Sequence, residues 1–414
     1  MQSAGMCLLL PAGAATDPPN AGGSATVLSD LILRGAGQRN SRQLTDHLDT
    51  LGLQRSSSVG VHHLRLSCAA VAQRVLEGLP AYADILRRAA LPEGEFIPAR
   101  DLALQALASI EDEPRHKLLV KLRERHLGWP LGRPTIGLRQ DLENMTVQIC
   151  REDYARRFGP AGTILSIAGN VRFEPLRDLV EQLLGDWKGG ADEPVCPSAP
   201  PGACHHERHT SEQTHIGIAY PALRETDDDY YAMRLAIEVL SGGMSGRLFT
   251  EIREKRALAY NVSAGYTSLK GCGAIMGYAG TSTDRAQATL DTFIAELLRL
   301  RQGVTADELE RARTGLPKVP RDKTFDDPAV QEAVRLHQKA VCELVRVDGG
   351  FDWARRLLAV LSGWPEADAG WGLCAPKPRT ARRGGVRGEL WRGSPAESEL
   401  GVARGGPCCL DLGS

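Results

Sequence analysis

Apolar and polar positions follow two rhythms along this chain, and the order in which they come divides it. A short apolar run over residues 6–11 predicts a strand, and Asp17-Pro18-Pro19 and Gly22-Gly23 form the loop after it. Apolar spacing of three and four residues then predicts helices over 24–34 and 41–51, stopped by Gly35 and Gly52. Residues 56–69 (SSSVGVHHLRLSCA) alternate and read as one strand or a pair. Helical spacing resumes over 71–90, 98–111 and 114–127, before a rigid loop at 128–137 (GWPLGRPTIG). A helix at 150–158, a strand at 162–168 and a helix at 174–185 complete this stretch.

Residues 189–212, rich in Gly, Pro, Ser and His, read as a linker. Beyond it the order begins again: strand 215–220, helices 228–240 and 244–255, strands 259–267 and 271–279, helix 283–301. A capping box, Thr305-x-x-Glu308, opens one more helix. The shared run of helix, small-residue strand and second strand makes a weak duplication with a unit of roughly 200 residues. The expected division is 1–188, linker 189–212, 213–316, and an atypical tail over 317–414. Residues 372–414 are dominated by Gly, Arg, Pro, Ala and Ser without apolar periodicity, a composition that buries too little surface to offset the entropy of ordering. The tail therefore reads as partly disordered, and a family resemblance carried by residues 241–266 implies that it is a foreign or out-of-frame extension that leaves the second half incomplete.

Composition narrows the function classes. Fifty basic residues face fifty-one acidic ones, so nothing favours nucleic-acid binding. No apolar run reaches the ~20 residues of a membrane helix. The N-terminal apolar run has no Lys or Arg ahead of it, against a signal peptide. The ten cysteines are scattered with no C-x-x-C, which fits reduced thiols and a cytoplasmic location, with the periplasm as the alternative. His62 and His63, adjacent on an expected strand, point to opposite faces. Cys204-His205-His206-Glu207-Arg208-His209 contains neither H-x-x-E-H nor H-E-x-x-H. Gly242-Gly243 and Gly384-Gly385 lack the context of a phosphate-binding loop.

The densest chemistry lies in Ser241–Tyr266, SGGMSGRLFTEIREKRALAYNVSAGY. A glycine pair leads into a helix with Leu248 and Ile252 at i, i+4, and a strand of small and aromatic residues follows. Arg253 and Tyr260 stand seven apart across that junction, a spacing that lets them converge beside the strand's edge. Spacing alone equally admits a solvated Arg and a half-buried Tyr. The segment resembles the second-half signature of the pitrilysin/insulinase family of zinc peptidases, and the resemblance extends from about residue 8 to about 315. It implies an α+β fold of two homologous halves, each a mostly antiparallel sheet with helices on one face. It also implies that Arg253 and Tyr260 grip the substrate backbone and help stabilise the tetrahedral intermediate, with Gly242 and Gly243 in the substrate-binding loop.

Active members of that family carry H-x-x-E-H on the first helix: two histidines bind zinc and the glutamate is the general base. Matching the apolar tail Leu31-Ile32-Leu33-Arg34-Gly35 puts the five motif positions on Thr26-Val27-Leu28-Ser29-Asp30. The histidine positions hold Thr26 and Asp30, and the base position holds Ser29. The third ligand, a glutamate on a later helix, falls on Ala106 when matched through Glu111–Pro114. The chain is thus expected to bind no metal of its own, with zinc expected in a partner. The resemblance implies a non-catalytic subunit of a heterodimer, paired with a zinc-bearing paralogue and acting on unfolded peptides. The competing readings are a structural or peptide-binding pseudoenzyme, as a homodimer, and an independent peptidase using Asp30 or the linker histidines.

Overall fold

A computed structural model of the chain describes residues 2–191, 194–195, 204–208, 211–315 and 409–413. The first half comprises β1 (Ser3–Leu10), α1 (Ser24–Leu31), a small hairpin of β2 (Gly35–Ala36) and β3 (Arg39–Asn40), α2 (Ser41–Thr50), β4 (Gln54–Val59) and β5 (Leu64–Val71). It continues through α3 (Ala72–Arg87), α4 (Glu93–Glu111), α5 (Pro114–Leu127), α6 (Arg139–Asn144), α7 (Val147–Arg157), β6 (Ile164–Gly169) and α8 (Phe173–Leu184). Local chemistry sets several boundaries. Asn40 and Gln43 form a reciprocal capping box that starts α2, Thr146 caps α7, and α5 begins on Pro114. Gly52 takes φ +64°, the left-handed region that favours glycine, and so ends α2.

Four antiparallel strands in the order β4-β5-β1-β6 make the first sheet. Met6, Leu8 and Leu10 on β1 and Leu64 and Leu66 on β5 point to one face, where they pack in a single apolar core with residues of α1, α2 and α3. The opposite face carries partly or largely exposed residues: Cys7 and Leu9 on β1, Arg65 and Ala69 on β5. Exposure therefore alternates along β1 with period two, one face covered and the other open.

The second half contains β7 (His205–Glu207), β8 (Gln213–Ala222), α9 (Tyr230–Ser241), a π-helix over Phe249–Lys255, β9 (Ala259–Leu269), β10 (Cys272–Ser282), α10 (Ala286–Arg299), α11 (Ala306–Gly315) and β11 (Cys409–Gly413). Its sheet runs β7-β11-β8-β10-β9, antiparallel except for the β7–β11 pair. The stretch β9-β10-β8-β11 repeats the order β4-β5-β1-β6 of the first sheet, which is the duplication seen at the level of topology. Ile216, Ile218 and Tyr220 from β8 pack with Ile275 and with Phe293 and Leu297 of α10 in a separate core.

Three sequence readings change here. His205–Glu207, read as linker, forms a strand, and Glu207 is paired with Lys117 and Lys121 of α5. His62 and His63 lie in the turn between β4 and β5 rather than on a strand, because the two strands pair tightly from Val59↔Leu64 onward. Residues 244–246, read as the start of a helix, form a turn, and the helix begins only at Arg247. The atypical tail lies outside the described residues apart from β11.

The halves are joined by α5, which leaves the first half and lies on the second sheet. Leu118 and Leu122 meet β8 at Gly217, where a Cβ would sit 3.1 Å from Leu122 Cδ2, so glycine allows the close approach. Val61, Leu127 and Leu131 of the first half share a small apolar cluster with Ala274 of β10. At the hairpin tips, His62 Nε2 accepts a hydrogen bond from the Lys270 backbone N–H at 3.0 Å.

Candidate functional site

Two places in this architecture answer to the residues singled out above. The first is the corner where the π-helix runs into β9. β9 is the outermost strand of its sheet, and its register against β10 breaks at this end: Gly280 pairs Asn261 while Thr281 pairs Ala259. Tyr260 is the extra residue of that bulge. A bulge re-aims the side chain it carries, and Tyr260 is 80% exposed. The Arg253 guanidinium lies 4.8 Å from the Tyr260 ring centroid and 4.8 Å from that of Phe249, one turn earlier. Contacts at this range, a cation over an aromatic face, contribute about 0.5–1 kcal/mol at an exposed site. The pair presents a guanidinium and a phenolic O–H side by side at the open end of an edge strand, a donor set suited to carbonyl oxygens of a peptide.

Gly242 and Gly243 lie in the loop between α9 and the π-helix. Gly242 N–H donates to Glu238 O at 2.6 Å and closes α9, and a Cβ there would collide with the same carbonyl at 2.4 Å. Gly243 takes φ +84°, and Met244 beside it is 76% exposed. Ser241, at the end of α9, accepts the Ala264 backbone N–H of β9 at 2.8 Å, so one outward-facing donor of the edge strand is already used.

The second place is α1. Thr26 and Asp30, four apart, share one side of the helix, and α4 packs along it. Each polar group there is engaged within the protein. Thr26 Oγ1 donates to Thr135 O at 2.6 Å, and Ser29 Oγ donates to Thr26 O at 2.8 Å. Asp30 accepts from Arg34 Nε at 2.6 Å, and the same guanidinium reaches Glu95 of α4 at 2.7 Å. Ala106 is on the exposed side of α4 and offers no donor atom. Zinc needs three protein ligands from His, Cys, Asp or Glu, with a fourth position for water. A hydroxyl committed to a carbonyl, a carboxylate committed to a guanidinium and a methyl group do not fit it. Among the described residues no group of three or more such side chains comes together elsewhere.

Sequence reasoning passed over what seats α1. Asp17 accepts the backbone N–H groups of Gly23 and Ala25 at 2.8 and 2.9 Å and so caps the helix start. It is joined there by Arg157, fully buried, which bonds Asp17 at 3.3 Å and also pairs with Asp153. Burial, the leading effect, outweighs the Arg157 charge and pushes the Asp17 carboxyl up to about 6. The only hint of this network in the sequence was an Asp-Pro-Pro turn followed by two glycines. Its Arg and Asp partners are about 140 residues away and carry no local signal.

Comparison with known proteins follows the same division. The family model described as insulinase (peptidase family M16) matches residues 1–137, and that of the peptidase M16 inactive domain matches residues 144–316. The chain is an insulinase-family homologue. An uncharacterized zinc protease of Streptomyces coelicolor is 26% identical over 311 residues, covering 72% of this chain and 68% of that one. One from Bacillus subtilis is 24% identical over 307 residues, covering 73% and 74%. Among solved structures, a peptidase M16 inactive domain from Pseudomonas fluorescens superposes with a TM-score of 0.73 at 16% identity, covering 100% of this chain and 92% of that one. A protease from Helicobacter pylori gives 0.70 at 16% identity, covering 88% and 92%. At these identities the structures speak for the fold: mixed helix and antiparallel sheet, as in M16 inactive domains.

Proposed function

We propose that this chain is the non-catalytic, Arg/Tyr-bearing subunit of a heterodimeric zinc metalloendopeptidase that acts on unfolded peptides. The observation that carries this reading is the stacked Arg253–Tyr260 pair, held exposed at a sheet edge. The engaged, ligand-poor α1 supports it from the other side, since zinc and base must then come from a paralogous partner. In this reading Tyr260 donates its O–H to the oxyanion that develops on the scissile carbonyl. Arg253 orients the tyrosine ring and the peptide backbone, and the loop at Gly242 and Gly243 lets the peptide approach the backbone closely.

Co-expression with an H-x-x-E-H-bearing paralogue tests the reading. Tyr260→Phe is expected to lower turnover by about 10²–10³, the usual loss when one oxyanion donor is removed. Unchanged turnover rules the role out. Peptide binding without cleavage in any assembly identifies instead a peptide-binding pseudoenzyme, in which the same pair serves only as a clamp.

A further inference from the structure

We propose that Glu251 is the positioning residue that holds Arg253 against Tyr260; the functional weight of this rests on the peptide-binding reading of that pair. Glu251 lies two residues before Arg253 on the π-helix, and although the helix is near the surface it is only 7% exposed. Three cations converge on its carboxylate. Lys255 Nζ donates to Oε1 at 2.7 Å, Arg256 Nη1 donates to Oε2 at 2.7 Å, and Arg299 Nη1 from α10 stands 3.5 Å from Oε1. Arg256 Nη1 also reaches the Glu251 backbone carbonyl at 3.2 Å, so the side chain leaving the helix is folded back onto it.

What this fold-back secures is a turn that would not keep its shape unaided. The residue after Arg256 is Ala257, at φ +50°, a left-handed conformation that a side chain disfavours and that persists only where the surroundings over-determine it. Its neighbours do so. Arg285 Nη1 donates to Ala257 O at 2.7 Å, the Leu258 N–H donates to Ile252 O at 2.8 Å, and Thr281 Oγ1 donates to Leu258 O at 2.5 Å. Two ties therefore join the turn to the helix carrying Arg253: Leu258 N–H to Ile252 O where the chain leaves the turn, and the Arg256–Glu251 pair where it enters. Two residues past Leu258 the chain reaches Tyr260. The direction in which the strand leaves the turn therefore decides whether the ring meets the guanidinium. Strained backbone of this kind collects at ligand clamps, and a π-helix beside it is a second mark of the same sort.

A salt bridge that served stability alone would leave the pair unmoved when weakened, which gives the test. The full chain is labelled with 15N-arginine, and the ring-shifted Arg253 Nε–Hε resonance is assigned by its loss in Arg253→Lys. Affinity is measured for fluorescein-labelled casein as an unfolded polypeptide. Glu251→Gln is expected to move the Arg253 resonance toward its unstacked position and to weaken casein binding about two- to fivefold, the worth of one such stacked contact. Adding Ala257→Gly is expected to restore both, because glycine adopts that φ freely. A lower Tm for Glu251→Gln with resonance and affinity both unchanged overturns the proposal. Unchanged casein affinity in Arg253→Lys and Tyr260→Ala overturns the peptide reading alone, and the resonance then still decides the role of Glu251.

Discussion

Arg253 on the π-helix and Tyr260 on the edge strand meet across a turn whose third residue before the tyrosine, Ala257, holds φ at +50°. The contact is short in sequence and yet depends on tertiary structure at every step. The helix end must fold back, the turn must be held in a disfavoured conformation, and the strand must bulge.

The turn yields the first prediction. A non-glycine residue in the left-handed region costs about 1–2 kcal/mol, and Ala257 is such a residue. Ala257→Gly is expected to stabilise the chain by about 1 kcal/mol, less the extra freedom glycine gives the unfolded chain. Urea denaturation midpoints check this; a midpoint that falls would mean that the alanine methyl makes contacts outweighing the strain.

A second concerns Asp17. Its carboxyl is raised to about 6 in the fold, chiefly by burial, against an unfolded value near 4. The folded state then holds the proton more tightly than the unfolded one. The stability this group contributes is complete below about pH 4 and is lost as pH rises through about 6. Across that window the wild type should lose stability relative to Asp17→Asn, by on the order of 2 kcal/mol. Paired urea titrations from pH 4 to pH 7.5 measure the difference, and a trend of opposite sign contradicts the burial argument.

His126 on α5 should behave in the reverse sense. It is 5% exposed, its Nδ1 has no partner among the described residues, and burial holds the imidazole down at about 4. Below pH 6.5 the unfolded chain takes up a proton that the folded one refuses, so stability falls between about 6.5 and 4. His126→Leu removes both that loss and a buried unsatisfied nitrogen. The variant should be the more stable protein at neutral pH by about 1 kcal/mol, and its advantage should grow toward pH 5, as followed by guanidinium unfolding at each pH.

The joint between the halves can be probed at Leu122. This side chain is fully buried between α5 and the second sheet, above Gly217. Leu122→Ala is expected to cost about 2–5 kcal/mol, the range for a leucine removed from a packed site. The loss should appear as faster amide exchange in α5 and β8 together; exchange confined to α5 would show that the helix does not brace the sheet.

The sequence by itself determined the elements and their repetition. Three- and four-residue spacing marked α2, α3 and α5 close to their true ends, a short apolar run marked β1, and alternation marked the β4–β5 pair. The Thr305–Glu308 box was legible because capping is local: Thr305 N–H donates to Glu308 at 2.8 Å and Glu308 N–H donates back to Thr305 at 3.2 Å. That Thr26, Ser29 and Asp30 carry no imidazole was equally open to reading, since it is a matter of which atoms are present. Only the tertiary structure decided that Tyr260 sits in a bulge, that Ala257 is strained, that Glu251 gathers three cations and that Arg157 reaches Asp17. It alone also laid α5 across the other half's sheet. Those features arise from pairing register and from charges brought together over distance, and neither leaves a periodic trace in the order of residues.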